Sequence, residues 1–309
     1  MKIAFLGTPD FANKSLEMLY KTGHELLVIT QVDKPVGRKR ILTPPPVKVR
    51  ALELGLPVLQ FEKIRNQAGV SALSSFAPDL MITVAYGQLL SQEILDIPKY
   101  GCINVHASIL PKYRGAAPIQ WSIINGERVT GVTTMMTELG LDCGDILLTK
   151  EVEIDINETA GELFERLSYV GAEVLKETLL ELENGTLTRT KQDEDKATKC
   201  SMLTRETGKI DFSKDALTVH NLVRGTNPEP GAYALLSGEP IKIFRTKLTE
   251  ETSCAQDGEC VIADPKKGLF VKAGDGKLIE ILEIQFPGSK RMSAKNALMG
   301  KQMMGKVFE

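Results

Sequence analysis

The sequence predicts an α/β protein: a Rossmann-like, mostly parallel sheet followed by a small C-terminal β-barrel. Three observations carry that prediction. First, an apolar run at 2–7 (KIAFLG), an amphipathic stretch and a second apolar run at 25–32 (ELLVITQV) alternate as β-α-β. Parallel neighbours joined this way need a right-handed crossover. Second, the pattern resumes with PVLQ (57–60) and LMITVAYG (80–87). Third, beyond a polar stretch at 186–200 the chain changes to short β-rich runs spaced by turns: AYALL (232–236), PIKIFRTKL (240–248), ECVIAD (259–264), GLFVKAG (268–274) and KLIEILEIQF (277–286). Runs at that spacing suggest a small antiparallel barrel. The expected organisation is a catalytic-type domain at 1–188, a linker at 189–205 and a C-terminal domain at 206–309.

In chain order, Gly7 ends the first strand, Pro9 and Asp10 open a helix carrying Leu16, Leu19 and Tyr20, and Gly23 stops it. No G-x-G-x-x-G follows that strand, only GTPDFA, so a nucleotide cofactor has no support. Residues 33–50 interrupt the rhythm, with Lys34, Arg38, Lys39, Arg40, Lys48 and Arg50 against one acid, Asp33, and four prolines that argue against regular structure. A basic loop of this length is either a solvated surface or a phosphate-binding feature. An amphipathic helix is expected over 158–185, with Asn157 as its N-cap and Gly185 as its stop. The segment 288–307 reads as a short basic helix carrying Lys290, Arg291, Lys295, Lys301 and Lys306, either a solvated tail or an RNA-facing stripe. Taken with the 34–50 loop, it favours RNA.

Composition sets the outer bounds. A chain of 309 residues with 42% hydrophobic and 25% charged residues is a soluble two-domain type. Its apolar runs fall far short of the ~20 residues that span a bilayer, so no membrane is expected. Five cysteines (102, 143, 200, 254, 260) without a C-x-x-C fit reduced thiols, and no apolar leader follows Met1, so the expected location is cytoplasmic. A net charge of −2 makes any RNA surface a local patch.

The chemistry concentrates between Cys102 and Asp145. Asn104 and His106 stand two residues apart on a β-branched run, so they share a face, and Pro111 forces a turn just beyond. Asp142 lies between Gly140 and Gly144, in a loop flexible enough to bring its carboxylate against His106 at the sheet edge. An amide donor, an imidazole and a carboxylate form a kit for acyl transfer to an external nucleophile. The same residues are equally compatible with satisfied turn hydrogen bonds. A zinc set of Cys102, His106, Asp142 and Cys143 converges poorly, and no metal is expected. A Ser108–His106–Asp142 triad lacks the G-x-S-x-G elbow. His24 and His220 read as structural.

The run NVHASILPKYRGAAPIQW (104–121) followed by GLDCGD (140–145) resembles the folate-dependent formyltransferases, and the likeness extends from MKIAFLGTPDFA to the C-terminus. Ile109 and Cys143 stand where that family usually has Leu and often Thr. The resemblance implies that Asn104, His106 and Asp142 are catalytic, with Asn104 and His106 holding an oxyanion and Asp142 orienting His106 and helping to take a proton. It implies the formyltransferase fold with an OB-like second domain. The co-substrate would be 10-formyltetrahydrofolate, against Ser108, Ile109, Leu110 and Pro111 and a pterin-cradling loop with Gln88, Leu89 and Leu90. The acceptor implied is the amine of initiator methionyl-tRNA, reached by a basic loop carrying Arg38, Lys39 and Arg40, which smaller relatives lack. No obligate protein partner is implied. Three alternatives stay open: a nucleotide-sugar amine as acceptor, water as in a formyl-folate hydrolase, or a non-enzymatic RNA-binding protein on the same scaffold.

Overall fold

The computed structural model describes residues 1–37 and 39–309. Arg38, expected above to contact tRNA, lies outside the described residues. The opening βαβ unit is β1 (Lys2–Gly7), α1 (Asn13–Lys21) and β2 (Glu25–Thr30). Leu16 and Leu19 of α1 are fully buried, and Gly23 leaves the helix at φ 75°. Then follow β3 (Lys34–Val36), β4 (Ile41–Thr43), α2 (Pro46–Glu53), β5 (Val58–Gln60), α3 (Gln67–Phe76), β6 (Leu80–Val84), α4 (Gln92–Leu95) and β7 (Cys102–His106). Next come β8 (Arg114–Gly115), α5 (Pro118–Ile124), β9 (Val129–Met136), β10 (Ile146–Glu153) and α6 (Ala160–Asn184).

Seven strands form the main sheet in the order β10-β9-β7-β6-β1-β2-β5. From β7 to β5 the neighbours are parallel, and β9 is antiparallel to β7. The central strand β6 is buried at every position, which is why its sequence is a near-continuous apolar run rather than an alternation. Its one polar residue, Thr83, pairs in register with Asn104. Ala4, Leu6, Leu27, Ile29, Leu73, Met81 and Ile94 make one core here. Asn104 and His106 sit at the carboxyl end of β7, as the turn at Pro111 requires, and β9 and β10 beyond it make β7 an interior strand.

By internal contacts the chain forms two compact units, and neither is continuous in sequence. The first comprises 1–115, 131–152 and 164–199; the second comprises 116–130, 153–163 and 200–309. The second unit continues through β11 (Lys199–Cys200), whose Lys199 closes the first unit, to α7 (Ala216–Gly225) and the strands β12 (Ala232–Leu236), β13 (Glu239–Thr252), β14 (Cys260–Asp264), β15 (Gly268–Lys272), β16 (Lys277–Gln285) and β17 (Met292–Ser293). A five-residue helix, α8 (Ala294–Leu298), follows. These strands are ordered β12-β13-β16-β15-β14, with β17 on β16. Phe308 bridges Leu236 and Val307 bridges Glu259, so the final residues join the two outer strands and close the barrel. Ile243, Cys260, Val271, Ile279 and Ile284 are fully buried inside it.

Four local expectations are corrected. The 34–50 stretch is not structureless: β3 and β4 pair as an antiparallel ribbon, and α2 begins at Pro46. Proline at a helix's first position loses no hydrogen bond, since that N–H has no intrahelical partner. Helix α6 is capped by Thr159 rather than Asn157. The Thr159 N–H donates to Glu162 Oε2 at 2.8 Å and the Glu162 N–H to Thr159 Oγ1 at 3.3 Å, a reciprocal capping box. The 288–307 segment is helical only in α8. The polar 186–200 stretch is hydrogen-bonded along its length, as the site shows. Among the described residues, no helix is long and apolar enough to cross a membrane.

Candidate active site

Asn104 and His106 leave the same face of β7, as the period of two requires. The Thr83 hydroxyl donates to Asn104 Oδ1 at 2.9 Å, which fixes the amide's direction and leaves Nδ2 without a hydrogen bond among the described residues. The His106 ring is 6% exposed. Its Nε2 lies 2.9 Å from the Tyr113 carbonyl oxygen, which can only accept, so Nε2 carries a hydrogen. Its Nδ1 faces Asp142 Oδ2 at 3.6 Å. Both residues that supply these acceptors have left-handed backbone, Tyr113 at φ 60° and Asp142 at φ 48°. Sparsely populated conformations of this kind cluster at functional sites.

The loop carrying Asp142 is held by three hydrogen bonds from two residues, Gly115 and Gln192. The Gly115 N–H donates to Asp142 Oδ2 at 2.8 Å. Gln192 Nε2 donates to the carbonyls of Asp142 (2.8 Å) and Gly144 (2.7 Å). Gly144 itself is obligatory, because a Cβ there would lie 1.9 Å from the Met136 carbonyl oxygen. Gln192 Oε1 accepts from Arg114 Nε at 2.9 Å, and Arg114 forks onto both oxygens of Glu194 at 2.9 and 2.7 Å. That pairing holds the Glu194 carboxyl below its usual range and the Arg114 guanidinium above its own. Thr198 receives the N–H groups of Tyr113 on Oγ1 and of Arg114 on its carbonyl, both at 2.8 Å. The stretch expected as a linker is therefore a strap across both site loops.

The remaining expected residues fall in three places. Ser108 is fully buried and its hydroxyl donates to the Lys112 carbonyl at 2.7 Å, so neither His106 nor solvent meets it. Leu110 is buried, while Ile109 and Pro111 are half-exposed. Gln88 spends its amide on Ile64 N–H and the Phe61 carbonyl, Leu90 packs on the first core, and Leu89 is 69% exposed. Lys39 and Arg40 are exposed in the turn between β3 and β4. The Cys102 thiol is buried and pushed up to about 11 by that burial, which suits an inert core residue.

Thr83, Arg114, Gln192, Glu194 and Thr198 were not singled out in the sequence. Thr83 leaves a signal, as the lone polar residue of an aliphatic strand. The strap leaves none, because Gln192 is 50 residues from the backbone it holds.

The chain as a whole has clear relatives. The chain belongs to the formyl transferase family: the family's main domain matches residues 1–179 and its C-terminal domain matches 202–302. Within that family it is 49% identical to the methionyl-tRNA formyltransferase of Ruminiclostridium cellulolyticum, over 98% of this chain and 97% of that one. It is 48% identical to the methionyl-tRNA formyltransferase of Acetivibrio thermocellus, again over 98% and 97% of the two chains. Among solved structures, WlaRD, a sugar 3N-formyl transferase, shares the fold with a TM-score of 0.69 at 22% identity, over 94% of this chain and 99% of that one. The N-formyltransferase of Helicobacter canadensis gives the same TM-score of 0.69 and 22% identity, over 91% and 98%.

Proposed function

We propose that the chain transfers the formyl group of 10-formyltetrahydrofolate to the α-amino group of initiator methionyl-tRNA, the amine attacking the formyl carbon directly. What carries this reading is the 49% identity, over 98% of the chain, to an enzyme named for that reaction. The site's geometry supports it. Leu89, Leu139 and Leu141 are exposed by 69%, 65% and 54%, apolar surface that a flat heterocycle would cover. Gln88 to Leu90 and the 108–111 turn are the segments that would hold the folate, largely through main chain. The bound folate supplies an activated formyl carbon.

The chain's own residues do the rest. Asn104 Nδ2, its direction set by Thr83, donates to the formyl oxygen as it gains negative charge; one such donor is worth about 10²–10³ in rate. The attacking amine gives up a proton, and the departing folate nitrogen takes one. The His106–Asp142 pair holds that proton, and its 3.6 Å separation leaves room to tighten when substrate is bound. His106 Nε2 stays on the Tyr113 carbonyl in this geometry, so Asn104 is the principal oxyanion donor. Ser108 plays no nucleophilic part.

Lys39 and Arg40, exposed at the β3–β4 turn, suit contact with tRNA phosphates. Replacing Arg38, Lys39 and Arg40 by Ala reduces the slope of log K against log salt by about 2–3, at ~0.9 per phosphate contact. Formylation of a minimal methionyl ester stays unchanged. Five cysteines without a C-x-x-C suit a reducing, cytoplasmic location. The deciding assay offers 10-formyltetrahydrofolate with charged initiator tRNA, a nucleotide-sugar amine and water side by side. Formyl-methionyl-tRNA is the expected product. Comparable turnover on the sugar amine, or formate release without tRNA, would sink the assignment.

A further inference from the structure

We infer that Gln192 is a positioning residue for Asp142, holding the 142–144 backbone in the turn that aims the carboxylate at His106. This rests on the reading of Asp142 as the proton-handling group. The direction of the Gln192 amide is not arbitrary. Arg114 Nε can only donate, so Oε1 faces it, and both Nε2 hydrogens are left for the carbonyls of Asp142 and Gly144. Arg114 is 4% exposed and is gripped in turn by both oxygens of Glu194, two residues along the same strap.

The grip is double. Gln192 holds the main chain of Asp142, while Gly115, the residue after Arg114, donates its N–H to the Asp142 carboxylate. Residue 142 is thus fixed at its carbonyl and at its side chain by one connected set of bonds, in a left-handed conformation (φ 48°). The loop has little packing of its own, since Leu139 and Leu141, just before Asp142, are exposed. With the Gln192 donors gone, the carboxylate drifts from His106. A displacement of about 1 Å in a catalytic group costs up to ~10²-fold in rate.

Two variants test this, each made in the wild-type chain and in an Asp142→Asn background. Gln192→Met keeps the side chain's length and loses all three hydrogen bonds, to Asp142, Gly144 and Arg114. Gln192→Glu keeps the acceptor toward Arg114 but turns an oxygen on the two carbonyls. Each lowers kcat by about 10- to 100-fold, with KM for tRNA and folate within about twofold of wild type. In the Asp142→Asn background neither lowers kcat further, because Gln192 acts through residue 142 alone. Equal losses in both backgrounds, a wild-type kcat in both single variants, or failure of both to fold would make Gln192 an ordinary scaffold residue and overturn the inference. If Asp142→Asn alone keeps its rate, the reading of Asp142 falls and takes the inference with it. If Asp142→Asn fails while the Gln192 variants do not, only the inference falls.

Discussion

The molecule buries two histidines that begin alike and end differently. His106 in the first unit is 6% exposed and His220 in the second is 2% exposed. Each sets Nε2 against a backbone carbonyl, Tyr113 at 2.9 Å and Ile156 at 2.8 Å. The contrast is on the other nitrogen. His220 Nδ1 meets the Thr246 hydroxyl at 2.8 Å, so a neutral ring has both nitrogens satisfied. His106 Nδ1 instead meets a carboxylate at 3.6 Å, on a loop in left-handed conformation tied down from outside. Burial marks neither ring as functional. The partner on the second nitrogen separates them: a hydroxyl completes a hydrogen bond, whereas a carboxylate at that distance is, in the proposed reaction, a place to put a proton.

That contrast breaks first under a rate measurement. Asp142→Asn keeps an oxygen for the Gly115 N–H and loses the charge, so kcat falls by at least about 10² while the fold holds. His106→Ala gives a similar loss, and the double variant is little slower than either single one, because the pair acts as a unit. His220→Ala, assayed below its unfolding temperature, keeps the wild-type kcat. A substantial rate loss at His220, or none at His106, would erase the distinction.

Stability gives the reverse order. His220→Ala leaves the Thr246 hydroxyl and the Ile156 carbonyl without their partners and opens a cavity. Together these cost about 2–4 kcal/mol. His106→Ala also opens a cavity but takes a hydrogen bond only from the Tyr113 carbonyl, and costs about 1–3 kcal/mol. Denaturant unfolding of the two variants measures both; a larger loss at His106 would contradict the assignment.

The two histidines also show how far sequence reaches. The strands, the glycine stops and the shared face of Asn104 and His106 were legible because each follows from a local period or a residue's own backbone preference. Gly140 and Gly144 correctly marked the loop that brings Asp142 to His106 at the carboxyl end of β7. The strap was not legible. Gln192 and Thr198 bond to distant backbone and Glu194 to the distant Arg114 side chain, and polarity without apolar anchors reads the same in a linker. The exchange of 116–130 and 153–163 into the second unit leaves no local trace either. Proline misled at 44–46, where Pro46 opens a helix instead of preventing one.

The smallest effect is the most specific to His220. Burial, ahead of its other interactions, lowers the His220 proton affinity below the free value of 6.5, and the positive charge of Arg224 acts in the same direction. As pH falls through about 6.5 the unfolded chain takes up a proton that the folded chain refuses. The unfolded state therefore binds more protons, and stability rises with pH across this window and falls toward acid. One such group contributes at most about 1.4 kcal/mol per pH unit. His24 is shifted the same way, again chiefly by burial, so its share persists when His220 is removed. Carboxylates held low by their partners, such as Glu194, act only below about 4.5 and stay out of the interval. His220→Gln is accordingly less stable than wild type at pH 7, and its stability declines less steeply between pH 7 and 5.5. Equal slopes for the two proteins in that interval would mean that His220 takes up its proton with the fold intact, and its likeness to His106 would then run deeper than the hydrogen bonds indicate.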